Sequence, residues 1–217
     1  MAVLTEKQIK YGFDYYHKDD ARPKSVVEVS EYDGEDKLII NCTQLDEGYS
    51  AKDKKRIWLE WCDFLVNNPD TFTELMFCTR MPQDLFDAVC AQRRLKKLHI
   101  KWGVYPDISK LENLQELEYL HIGSGRSVSS LEPISRLVNL VALSIENFQQ
   151  IDDYAPLANL KHLESLALEG DFAAPKILKV QSLEFLRHMK QLRFFSLLTA
   201  KVIDKDYSPV LELNNLE

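Results

Sequence analysis

Residues 95–122 read LKKLHIKWGVYPDISKLENLQELEYLHI, and their internal spacing decides the fold. Leu95, Leu98 and Ile100 follow the pattern leucine, two residues, leucine, one residue, isoleucine; Leu117, Leu120 and Ile122 repeat it 22 residues later. A fixed period of 20–30 residues with this spacing marks a repeat array, in which each unit buries its apolar face only against its neighbours.

Outward from that stretch the pattern continues in both directions. Phe72, Leu75 and Phe77 precede it; Leu140, Leu143 and Ile145, then Leu163, Leu166 and Leu168, and last Leu192, Phe195 and Leu197 follow it. The last step is longer than the others, so an insertion is expected within residues 169–181 (EGDFAAPKILKVQ). A second apolar series recurs nine, six and three residues before the later motifs, as in Ile108, Leu111 and Leu114 or Leu131, Ile134 and Leu137, and begins with Phe86 and Val89 before Leu95, where Gln92 is the exception. Spacing of three suits a short helix or 3₁₀ turn that returns the chain to the next strand. Short strands alternating with short helices predict a parallel sheet with the helices on its other side.

The segments FTELMF, LKKLHI, LEYLHI, LVALSI, LESLAL and LRFFSL, with return segments such as ISKLENLQE, resemble the leucine-rich repeat family. The likeness is to the short 22–23-residue class found in internalin-like bacterial proteins and phosphatase-regulatory subunits, and it covers about two thirds of the chain. It implies an α/β solenoid with a curved parallel sheet on the concave face and short helices on the convex face. It also implies a protein-binding role, although the family hosts many functions. One departure stands out. The family's asparagine, eight residues after the first leucine, is replaced by Arg80, Gly103, Gly125, Phe148, Asp171 and Ala200, so less regular turns are expected after the strands.

Residues 1–71 read as an N-terminal cap and residues 72–217 as an array of about six repeats. Residues 1–24 are polar and aromatic without periodicity, though Tyr11, Phe13, Tyr15 and Tyr16 could pack on a neighbouring surface. Alternation on both sides of Asp33–Gly34 predicts a β-hairpin over residues 26–42. Residues 50–67 predict a helix. Ser50 and Asp53 form an N-cap pattern, Ile57, Trp58, Trp61, Phe64 and Leu65 line one face, and Pro69 ends it. Its two tryptophans are expected to cover the open end of the array.

Composition narrows the function. The chain has 217 residues, a net charge of −7, 45% hydrophobic and 28% charged residues, as in ordinary globular proteins. The acidic balance argues against a nucleic-acid partner. No apolar run suits a signal-peptide core or a membrane span, so a cytoplasmic protein without membrane partners is expected. Cys42, Cys62, Cys78 and Cys90 form no paired motif and are expected as free thiols. No phosphate loop, nucleophile elbow or HExxH motif appears, which predicts a non-enzymatic protein without cofactor or metal.

Side chains alternate along a strand, so the residues between the leucines face outward on the concave side. The second and third repeats offer Lys97, His99, Lys101, Trp102, Tyr119 and His121; the fourth and fifth offer small residues flanked by Glu146 and Glu169. Cations and aromatics beside a small-residue floor resemble an interface hot spot with its rim. The bland alternative is that Trp102 and Tyr119 pack on each other. His99 and His121 occupy equivalent positions, but zinc takes three or four protein ligands and neither Met76 nor Ser144 supplies a convincing one. The expected partner is therefore another protein. Alternatives are an immunity or inhibitor protein that neutralises a toxin or enzyme, and a scaffold subunit that forms a homodimer through its C-terminal edge.

Overall fold

The computed structural model describes residues 22–171 and 176–217. Inward leucines and isoleucines recurring at a constant period draw successive strands into one parallel sheet. Eight of them, numbered in chain order, are β1 Lys24–Val26, β2 Lys37–Ile40, β3 Glu74–Phe77, β5 Lys97–Ile100, β7 Tyr119–Ile122, β8 Ala142–Glu146, β9 Ser165–Glu169 and β11 Phe194–Leu198. Each pairs with the next in sequence, and every pairing is parallel. The register follows the motif: Leu75, Leu98, Leu120, Leu143 and Leu166 stand opposite one another in turn. The expected α/β solenoid is what the chain forms.

The return segments close each unit on the far side of the sheet. They are short 3₁₀ turns at Ser109–Asn113, Ala155–Asn159 and Glu184–His188, and short helices α2 Gln83–Val89, α3 Glu132–Ser135 and α4 Ser208–Leu211. Leu111, Ile134, Leu157 and Leu186 in these segments share one apolar core with the inward strand residues. Backbone bonds repeat with the period. The carbonyl of Lys96 accepts from Glu118 and Tyr119, that of Glu118 from Val141 and Ala142, and that of Val141 from Glu164 and Ser165.

The turns after the strands satisfy their backbone without the family's asparagine. Short parallel pairs, β4 Met81–Pro82 with β6 Gly103–Val104 and β10 Leu178–Val180 with β12 Ala200–Val202, continue the ladder beyond the main sheet. Between them the amides of Gly125, Asn147 and Gly170 donate to the carbonyls of Glu146, Glu169 and Leu198. Ser124, Asn147 and Thr199, at the same position in three repeats, turn the chain through left-handed backbone. Phe148 and Tyr105 fill the space behind these turns. β10 falls within the expected insertion at residues 169–181.

The expected hairpin over residues 26–42 is not formed. β1 and β2 run parallel and belong to the main sheet, so the sheet continues without a break into the region read as a separate cap. The cause is the connection. Val29 lies in a 3₁₀ turn, Val29–Glu31, and Lys24 ties the loop by pairing with Asp33 and with Glu35 at 3.3 Å. Leu38 and Ile40 then enter the core in line with Leu75 and the later repeats.

The predicted helix is present as α1, Ala51–Asn67, with Ser50 as N-cap accepting from the Asp53 amide at 3.1 Å. Ile57, Trp61 and Leu65 are buried, and the Trp61 indole N–H donates to the Val27 carbonyl at 2.8 Å. Trp58 is half-buried. Cys42, Cys62, Cys78 and Cys90 are free thiols. The four N-terminal aromatics lie outside the described residues. Among the described residues, no helix is long and apolar enough to cross a membrane.

Candidate protein-binding face

The outward residues singled out above come together because parallel register sets them side by side. Lys97 stands opposite Tyr119, His99 opposite His121, His121 opposite Ser144, and Glu146 opposite Glu169. Lys101 and Trp102 follow β5 immediately, Lys101 exposed and Trp102 half-buried.

Tyr119 is covered by a cation. The Lys97 ammonium sits 5.1 Å from its ring centroid and 3.9 Å from the Glu74 carboxylate, which links β3, β5 and β7 across the face. Ring and ammonium attract because the ring's face carries negative charge.

The two histidines are parallel, with ring centroids 4.3 Å apart and planes 10° from coincident. His121 shares a hydrogen bond of 3.0 Å with the Ser144 hydroxyl through Nδ1. Burial lowers the His99 pKa well below the ordinary range, assisted by His121 and Lys101 nearby. Burial likewise pushes His121 down to about 4. Both rings are therefore neutral at pH 7, since like charges stacked face to face and out of water are disfavoured. Face-to-face stacking does not converge two ring nitrogens on one ion. Among the described residues, no group of three or more histidine, cysteine or acidic side chains could hold a metal.

His99 is 1% exposed. It forms part of the floor of the face, stacked on His121. His121 is half-buried and serves the same floor.

Glu146 and Glu169 lie on the next strands, β8 and β9. Glu169 is half-buried and its pKa is raised by desolvation. Gly123 lies between Lys101 and Glu146 because no side chain fits there: a Cβ would approach the Lys101 carbonyl oxygen to 2.0 Å. The Glu146 carboxylate also lies against this position, 2.9 Å from where a Cβ would stand, so β5, β7 and β8 pack closely at Gly123.

Sequence reasoning missed a second row. Lys96, Glu118, Val141, Glu164, Arg193 and Glu217 each follow the first leucine of a repeat, and they line a groove of about 800 Å³ at the start of the strands. Its opposite charges pair, Lys96 with Glu118 at 3.5 Å and Arg193 with Glu164 at 3.1 Å. The periodicity that placed the leucines marks this row too, one position further on.

Comparison with known proteins bears on the fold. No family model matches the chain. The volume-regulated anion channel subunit LRRC8E of Mus musculus is 34% identical over 92 residues, which is 42% of this chain and 11% of that protein. The chain thus spans about a tenth of the length of this relative. Two internalins of Listeria monocytogenes are similar in structure. Internalin C2 gives a TM-score of 0.53 at 21% identity, covering 82% of this chain and 65% of the internalin. The internalin inlF gives 0.52 at 18% identity, covering 83% and 44%.

Proposed function

We propose that this chain, which has the leucine-rich repeat fold, is a non-enzymatic module that binds another protein through the concave face of its sheet. One arrangement carries the reading. Lys97, Lys101, Trp102 and Tyr119 lie on or beside two neighbouring strands, above a neutral histidine floor, with Glu146 and Glu169 side by side on β8 and β9. Aromatic and cationic anchors at the centre of a patch, bordered by charges of the other sign, are what a protein hot spot requires. The sheet is wide enough for a loop or helix, since six strands span on the order of 24 Å.

In this reading Trp102 and Tyr119 anchor the partner, Lys101 and Lys97 meet its carboxylates, and Glu146 and Glu169 meet its cations. His99 and His121 support the anchors from below. The experiment is affinity capture followed by titration of the captured protein. Trp102→Ala and Tyr119→Ala are each expected to weaken binding by about 2 kcal/mol or more. Val138→Ser, at an exposed apolar position in a return segment, leaves it unchanged. Full affinity in both aromatic variants would remove the concave face from consideration.

A further inference from the structure

The β11 end of the sheet exposes apolar side chains at places that are buried in the other units. Leu198, Ile203, Tyr207, Leu211 and Leu216 all reach solvent there, Leu211 at 84% exposure. Leu216 stands where earlier units carry Leu163 and Leu192, and Tyr207 where they carry Tyr154 and Leu183; those four are at most 2% exposed. Phe195 and Leu197 on β11 are half-buried, although Leu166 and Leu168, opposite them on β9, are fully buried. Repeat arrays keep their terminal faces polar to stay in solution. This face is apolar.

The edge of β11 is open in its hydrogen bonding as well. In a parallel pair, alternate residues turn both backbone groups towards the same neighbour. The Phe194 amide donates to the Glu164 carbonyl and the Leu198 carbonyl accepts from the Gly170 amide, so Phe194, Ser196 and Leu198 serve β9. Phe195 and Leu197 direct theirs the other way, where no further strand of the sheet stands among the described residues. Glu217 bonds that edge at the Arg193 carbonyl, before the strand begins. Native sheets blunt such edges with lysine, proline or a bulge. At the opposite end β1 reads KSV and carries Lys24; β11 reads FFSLL and carries no charge.

We propose that a second copy of this chain covers this end, with the two β11 strands paired antiparallel about a two-fold axis at Ser196. The strand is self-complementary in that register. Phe195 exchanges two backbone hydrogen bonds with Leu197 of the second copy, and Leu197 does the same with Phe195, which uses all the open groups. Ser196 then faces its own counterpart, and Leu198 lies beside the other Phe194. An axis normal to the sheet keeps the inward side inward. The half-buried Phe195 and Leu197 therefore carry the core from one copy into the other, and Tyr207 and Leu211 meet their counterparts behind the sheet. Reversal of strand direction also brings Lys201, exposed after β11, towards Glu217, which precedes it. Thr199 turns out of the strand through left-handed backbone, so the second copy leaves the edge before it meets Glu217. A head-to-tail contact would instead set FFSLL against the exposed Lys24 and Ser25 of β1, and would grow without closing. The dimer and the concave-face reading above do not depend on each other.

The test is sedimentation equilibrium on the full chain without any partner. Twice the chain mass of 25.2 kDa is expected at about 10 μM, since interfaces of standard size hold at micromolar concentration or below. A monomer at that concentration overturns the proposal, and assemblies that grow beyond two copies overturn the two-fold arrangement in favour of head-to-tail stacking. Leu198→Lys and Leu211→Glu, both at exposed positions, are expected to raise the dissociation constant by about tenfold or more, whereas Val66→Ser on α1 leaves it unchanged. A dimer indifferent to the first two variants overturns the surface. Cysteine variants in oxidised glutathione read the register, with the unsubstituted chain and its four thiols as background. Ser196→Cys is expected to join two copies, because facing residues of a non-hydrogen-bonded pair have Cα atoms about 4.5 Å apart, within reach of a disulfide. Leu198→Cys is expected to stay unjoined, since the two residues 198 lie about 13 Å apart along the strands. Crosslinking no greater in Ser196→Cys than in Leu198→Cys overturns the antiparallel register.

Discussion

At Gly125 a single hydrogen in place of a methyl group decides whether a repeat closes. A Cβ there would come within 2.1 Å of the buried Phe148 ring, which fills the turn where related repeats carry an asparagine. Gly125→Ala is expected to cost about 1–3 kcal/mol by overpacking, read from denaturant midpoints. Gly34→Ala, in open space but at a φ of 100°, should cost only about 1 kcal/mol of backbone strain. His121 sets a pH dependence. Its folded pKa of about 4 lies below the ordinary 6.5, so the unfolded chain binds more protons between those values. Stability from this residue is complete above pH 6.5 and is lost as pH falls towards 4. Between pH 7 and pH 5 the loss should be about 1–2 kcal/mol. His121→Gln should flatten that slope in urea titrations at the two pH values. The positions of these residues in the repeat were legible in the sequence. Their burial was not, because burial of an outward side chain depends on what lies over the sheet.

At the scale of elements, α1 shows how much local sequence can specify. The Ser50 cap, the apolar stripe and the stop at Pro69 all predict the helix that forms. Polar contacts dock it as well: the Trp61 indole donates to the Val27 carbonyl, Arg56 pairs with Glu28, and Gln92 donates to the Leu65 carbonyl. Trp61→Phe keeps most of the ring but leaves the Val27 carbonyl without its donor, and is expected to cost about 1–3 kcal/mol. Thermal unfolding compared with Trp58→Phe, at a half-buried position, would check it. The region of β1 and β2 shows the opposite case. Asp33–Gly34 does turn the chain, with Gly34 in left-handed backbone, but the turn lies within a crossover between parallel strands. The better signal was Leu38 and Ile40, which repeat the second half of the motif without its first leucine. A turn dipeptide reports a local reversal and says nothing about which strand edge is free to pair.

At the scale of the molecule, stacking makes stability local. Each repeat touches only its neighbours, so damage spreads over nearest units before it reaches the ends. Leu143→Ala removes a buried side chain from β8 and is expected to cost about 2–5 kcal/mol. Native-state hydrogen exchange should show faster opening of β7, β8 and β9, while α1 keeps its protection. Uniform loss across the chain would mean that the array unfolds as one cooperative body.

The sequence by itself determined the period, the inward leucines, the helix α1 and the parallel order of the central strands, because these follow from spacings of two, three and 22–23 residues along the chain. Only the tertiary structure decided that the sheet extends back to residue 24, that the two histidines stack as a neutral floor, and that outward residues such as Phe194 are buried. Those facts depend on what lies beside and above a strand, and distance along the chain does not encode that.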